Sequence, residues 1–236
     1  SLSLSLSLSL SLSLSVSPSL SLSPSPSPIL LHGSDGISLQ ATKLYNAIVR
    51  ETLVQFGGYE VALMQHEGSI GGEGSFCVAF QKPGKALPWC VAVQESLLAA
   101  KWPAGLLAQN AAAEERDNKG QAIFRGLRVR MGVNFGTPRA ERDPTTTRVE
   151  YLGPPVHMAA HLVTTAQGGQ ILLTQEMYDK VKDKEYAKKG QLIKSGKLRA
   201  AASEGNESNT IYEFKPSSLK TRFFGTRRHT LPFLSI

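Results

Sequence analysis

The chemistry-bearing residues of this chain are few, so their spacing matters. His157 and His161 stand four apart. On a helix they would share one face, and that spacing is also used for paired metal ligands. The intervening residues are Met158-Ala159-Ala160, with no glutamate beside the first histidine and no third ligand nearby. A zinc site is therefore not spelled out, and a structural or pH-sensitive pair is the other reading. Two Glu-Gly-Ser triplets follow one another, Glu67-Gly68-Ser69 and Glu73-Gly74-Ser75. Glu73 is a candidate metal carboxylate; the alternative is a solvated turn residue. Asp35 sits in Gly33-Ser34-Asp35-Gly36, which reads as a turn. Cys77 and Cys90 each lie in an apolar run, the setting of buried thiols rather than of a disulfide framework.

These residues need a core to hold them. The chain has 236 residues, 41% hydrophobic and 19% charged, with a net charge of +7. That suits a globular domain. The charge could meet an anionic partner, but the basic residues are scattered except for Lys220, Arg222, Arg227 and Arg228 near the C-terminus. They read as solvated surface, and a nucleic-acid partner is not expected. No run of about 18 apolar residues reads as a membrane span.

Every odd position from Ser1 to Ser27 is serine, alternating mainly with leucine and then proline. Strict alternation is a strand pattern. The tract has no turns and no charge, so residues 1–28 are expected to be low-complexity sequence without packed structure. A helix is expected over 38–56, where Leu44, Ile48, Val49 and Leu53 recur at helical spacing before Gly57-Gly58. Strands over 59–65 and 75–81 flank a glycine-rich stretch and suggest a hairpin. Helix 86–101, strand 127–134, a loop over 137–148 and a short strand 149–152 follow. Gly153-Pro154-Pro155 opens a helix to about 166, since proline is tolerated in the first turn. Strand 170–173, a short helix capped by Thr174, and strands 191–198 and 210–214 complete the domain. The interleaving predicts an α/β sandwich.

Several segments, in order, resemble the catalytic domain of class III nucleotide cyclases of the green-algal type. They are Gly58-Tyr59-Glu60-Val61-Ala62, Glu73-Gly74-Ser75-Phe76-Cys77-Val78-Ala79-Phe80, Phe124-Arg125-Gly126-Leu127-Arg128-Val129-Arg130-Met131-Gly132-Val133, Glu150-Tyr151-Leu152-Gly153-Pro154-Pro155-Val156-His157-Met158-Ala159-Ala160-His161, and Gly168-Gly169-Gln170-Ile171-Leu172-Leu173-Thr174. The resemblance implies a ferredoxin-like α/β sandwich over 29–215 whose first strand is missing, followed by a basic tail over 216–236. It also implies the reaction: the ribose 3′-oxygen attacks the α-phosphate of ATP or GTP and pyrophosphate leaves. Two Mg²⁺ or Mn²⁺ ions held by two aspartates would assist. A partner cyclase domain, as homo- or heterodimer, would supply an asparagine and an arginine.

Against that pattern the chain departs at every functional place. The opening Thr-Asp-x-Glu-Gly strand has no counterpart, and Asp35 is the nearest acidic residue. Serine follows both Glu-Gly pairs, so the second aspartate is replaced, at Ser75 in the register above. His157 stands for the asparagine and His161 for the arginine, and neutral imidazole cannot replace a permanently charged, bidentate guanidinium. Glu150 takes the approximate place of the aspartate that reads adenine, and Ala62 that of its lysine. The sequence thus predicts an impaired cyclase-homology domain acting through dimerisation. The alternatives are an active cyclase with an incomplete sequence record, and a basic module binding nucleic acid or acidic surfaces.

Overall fold

The computed structural model of the chain describes residues 10–16, 34–61, 75–144, 147–199 and 208–224. Its centre is a seven-stranded sheet. The strands are β1 (Leu10–Val16), β2 (Tyr59–Val61), β3 (Phe76–Phe80), β6 (Val129–Phe135), β9 (Ile171–Thr174), β10 (Gly190–Arg199) and β11 (Ser208–Pro216), in the order β10-β11-β9-β6-β1-β3-β2. Neighbours run antiparallel except β6 and β9, which are parallel. Two small hairpins lie apart from it: β4 (Glu115–Arg116) with β5 (Ala122–Phe124), and β7 (Arg139–Arg142) with β8 (Val149–Leu152). The helices are α1 (Ser34–Phe56), α2 (Pro83–Ala99), α3 (Ala104–Leu107), α4 (Pro154–Thr165) and α5 (Gln175–Val181).

The unit β1-α1-β2-β3-α2-β6, with sheet order β6-β1-β3-β2, is a ferredoxin-like arrangement. The fold expected from sequence is thus present, with one correction. The position taken to be missing is filled by the Ser-Leu tract itself: Leu10–Val16 pairs with β3 on one side and β6 on the other. A residue run with alternating pattern forms a strand once two neighbours offer their backbone groups, whatever its complexity.

Alternation along the strands separates two faces. Phe76, Val78 and Phe80 of β3 join Met131 and Val133 of β6 and Ile171 and Leu173 of β9 in the main core, against Tyr45, Val49 and Leu53 of α1 and Trp89, Cys90 and Val93 of α2. Cys77 and Ala79 face the other way, where Tyr151 and Val156 pack on them. Leu172 also faces that way, against Leu162 and Ala166 at the end of α4. Helix α4 and the β7–β8 hairpin therefore cover one face, and α1, α2 and α5 the other. The complete burial of β3 explains why it reads as a continuous apolar run. Trp89 is fully buried, and its indole Nε1 donates to Thr52 Oγ1 at 3.1 Å, so α1 and α2 are joined by a polar as well as an apolar contact.

Two elements differ from the sequence expectation for evident reasons. The stretch 137–148, expected to be a loop, contains β7, whose residues Arg139, Ala140, Glu141 and Arg142 are all exposed and carry no apolar alternation. Beyond 215, Leu219 and Arg222 are buried. Arg222 is thus core rather than solvated tail.

Candidate functional site

The site is built on the β8–α4 junction and the head of β3. At the junction, Gly153 adopts φ +102° and caps α4, a conformation that side-chain-bearing residues rarely take. Pro154 then occupies the first turn, where its missing N–H costs nothing. Asn134 of β6, a buried polar residue, holds the start of α4. Its Nδ2 donates to the Pro155 carbonyl at 2.9 Å, and its Oδ1 accepts from Thr174 Oγ1 at 2.8 Å. The same Thr174 hydroxyl accepts from the Met177 N–H at the start of α5. Reasoning from sequence missed Asn134; a lone Asn between Val133 and Phe135 is the available signal.

The hairpin before α4 is tied to β2. The Tyr59 hydroxyl donates to the Val149 carbonyl and accepts from the Val149 N–H, each at 3.0 Å. Arg148 Nη2 donates to the Glu60 carbonyl at 2.9 Å. Glu60 itself is held by Arg50 through two hydrogen bonds of 2.8 Å, which keep its carboxyl below the usual range.

His157 lies exposed in the first turn of α4, and His161 lies half-buried one turn further. Burial pushes the His161 imidazole below its ordinary pKa, which favours the neutral ring. Its carbonyl accepts from Thr164 and Thr165 hydroxyls at 2.8 and 3.1 Å, the back-bonding habit of threonine in helices. Glu150 is 6% exposed on β8 and stands opposite Glu141 in the hairpin register. The structure thus gathers Glu150, His157 and His161 on one β8–α4 unit. Ser75 lies half-buried directly before β3, and Leu14 of β1 pairs with Phe76, so the end of β1 runs beside it. Asp35 falls in the first turn of α1 rather than in a turn. Glu73, with Ala62, Glu67 and Ser69, lies outside the described residues.

The family resemblance would put the carboxylates for a pair of divalent cations where β1 and β3 adjoin. Ser75 offers a hydroxyl there, and the carboxylate on the neighbouring strand, Glu60, is committed to Arg50. Among the described residues, no three His, Cys, Asp or Glu side chains converge as a metal site. Among the described residues, the donor set at Ser75 does not fit a two-cation centre.

Comparison with known proteins adds to this geometry. Residues 74–210 match the family described as adenylate and guanylate cyclase catalytic domain. A protein of Acanthamoeba polyphaga mimivirus, named as a serine/threonine-protein kinase/receptor, is 40% identical over 185 residues, 78% of this chain and 11% of that protein. An adenylate cyclase of Lachancea kluyveri is 42% identical over 142 residues, 60% of this chain and 7% of its own length. The chain thus spans about a tenth or less of these relatives. Among solved structures, one of the adenylate cyclases from Trypanosoma brucei in their monomeric state superposes with a TM-score of 0.70 at 19% identity, covering 92% of this chain and 93% of that one. At that identity the likeness concerns the fold.

Proposed function

The chain belongs to the adenylate and guanylate cyclase catalytic domain family, and from that premise we propose that it is a catalytically impaired member, serving cyclic-nucleotide signalling by pairing with another cyclase domain. One observation carries the reading: in the arginine's place stands His161, half-buried and held towards its neutral form. A developing phosphate charge there would meet a neutral ring instead of a fixed cation. Losing one such preorganised group costs about 10²–10³ in rate. Ser75 at the second metal position and His157 at the asparagine position compound the loss. Two copies of this chain would each lack both halves of a shared site, so pairing supports a scaffolding or regulatory role rather than turnover. No metal-assisted step is assigned to this chain, because among the described residues Mg²⁺ or Mn²⁺ would find no carboxylate at Ser75.

The test is direct. Purified chain with Mn²⁺ and ATP or GTP is expected to form no cyclic nucleotide above background. Restoring Ser75→Asp, His157→Asn and His161→Arg together is expected to leave it inactive, since β1 contains only Ser, Leu and Val. Clear turnover by the unmodified chain refutes impairment. Turnover by the triple variant alone shows that the first ligand lies elsewhere.

A second reading, an active adenylate or guanylate cyclase, is favoured by the buried Glu150 carboxylate, an acceptor suited to an adenine amino group. The same assay decides between them.

A further inference from the structure

Away from this site, the core encloses more positive than negative charge at one place. Arg222, 5% exposed, reaches back from the segment after β11. Its Nε donates to the Ile123 carbonyl at 2.7 Å, and its Nη1 donates to Gln94 Oε1 at 2.7 Å and, more weakly, to the Gly169 carbonyl at 3.4 Å. All three acceptors are neutral. The Arg222 guanidinium lies 4.5 Å from the Phe124 ring centroid, and the Arg128 guanidinium lies 4.4 Å from the same centroid. Burial, with Arg128 close by, lowers the Arg222 pKa to about 10, so the group stays charged at neutral pH.

Beside these groups is a cavity of about 10 Å³, lined by Gln94, Phe124, Arg125, Leu127, Arg128 and Arg222 among others. Three guanidiniums border it. Arg125 is paired with Glu114 at 3.3 Å and Arg128 with Glu115 at 2.6 Å, whereas no ion pair is formed by Arg222 with a described residue. Glu114 is shared with Arg116 as well. The Nε of Arg128 is buried without a hydrogen-bond partner among the described residues. A buried charge with no counter-charge is costly, and a buried donor with no acceptor adds to that cost.

We propose that this cavity is a binding site for one small monovalent anion of the halide class, held between Arg222 and Arg128. Size and charge select that class together. The space admits about one water-sized particle, which excludes phosphate and nucleotide. Of the three guanidiniums that border it, Arg222 is the one that forms no ion pair with a described residue, and a single monovalent anion balances that one charge. Its partners, Arg222 from the C-terminal segment and Arg128 just before β6, belong to elements distant in sequence. Binding therefore fastens the segment 216–224 to the α2–β5–β6 side of the core, and it is independent of the cyclase reading.

The experiment compares thermal unfolding of the whole chain in sodium chloride and in sodium gluconate at equal ionic strength. Gluconate is too large for the cavity. A site with a dissociation constant near 10 mM is expected to raise the melting temperature in 0.1 M chloride by about 3 °C over gluconate. The variant Arg222→Gln, which removes that charge and keeps an amide donor, is expected to lose that chloride-specific increment. Equal melting in the two salts overturns the proposal, and so does an undiminished increment in Arg222→Gln. Should that variant not fold, chloride NMR of the unmodified chain decides. Excess line broadening that bromide competes away supports the site; its absence overturns it.

Discussion

Gly132 of β6 is where helix α4 comes closest to the sheet, and replacing it with alanine tests the architecture that carries His157 and His161. A Cβ at this position would lie 2.5 Å from the Ala159 carbonyl oxygen, 2.6 Å from Leu162 Cβ and 2.9 Å from the Val163 nitrogen. Ordinary contacts between such atoms are about 3.5 Å. Two of the three neighbours are backbone and the third is a Cβ, so no rotamer change relieves the clash. The helix must move outward by about 1 Å, against fully buried Leu162 and Leu172. Overpacking of a tight core costs about 1–3 kcal/mol, and the backbone contacts place this case at the upper end, about 3 kcal/mol. For a domain of this size each kcal/mol lowers the melting temperature by about 2–4 °C, giving a loss of about 6–12 °C. Circular dichroism melting of Gly132→Ala beside the parent measures it. Gly36→Ala is the control, because nothing lies within 4 Å of the added carbon in α1; removing a helical glycine there is expected to raise stability by about 0.5–1 kcal/mol. If Gly132→Ala melts within about 2 °C of the parent, the close approach of α4 to β6 is refuted.

Two further outcomes follow from the same region. Thr174→Ala removes the α5 cap and leaves the buried Asn134 Oδ1 without its donor, so urea unfolding is expected to show a loss of about 2 kcal/mol, with Thr174→Ser recovering most of it. The pH dependence comes from His161, whose folded pKa lies below its unfolded value of 6.5. Between those values the unfolded chain binds more protons, so its contribution to stability is complete above pH 6.5 and is lost as pH falls through the folded pKa. His161→Gln is expected to flatten that part of the stability–pH curve, as read by denaturant midpoints across pH 5–7.5; an unchanged slope would assign the titration elsewhere.

The residue types at the candidate positions are legible without coordinates. Ser75, His157 and His161 are identifiable from their places in ordered motifs, and the structure then set them at the head of β3 and on one face of α4. The helices α1 and α4 and the strands β3, β6 and β9 announced themselves through apolar periodicity or runs, because each buries a regular face. Strand β7 gave no such signal, because its side chains are all exposed and only its backbone pairing with β8 defines it.

By itself, then, the amino-acid order determined the local elements, the family likeness and the residue types at the candidate positions. Tertiary structure alone decided three things. It placed Leu10–Val16 between β3 and β6, a choice that a two-residue repeat cannot encode, since shifting it by two leaves its pattern unchanged. It made Asn134 the anchor of α4 through partners 21 and 40 residues away. It drew Arg222 into the core to meet Gln94, 128 positions earlier. Each depends on hydrogen-bonding groups that become neighbours only when the chain is folded, and no local pattern records such a partner in advance.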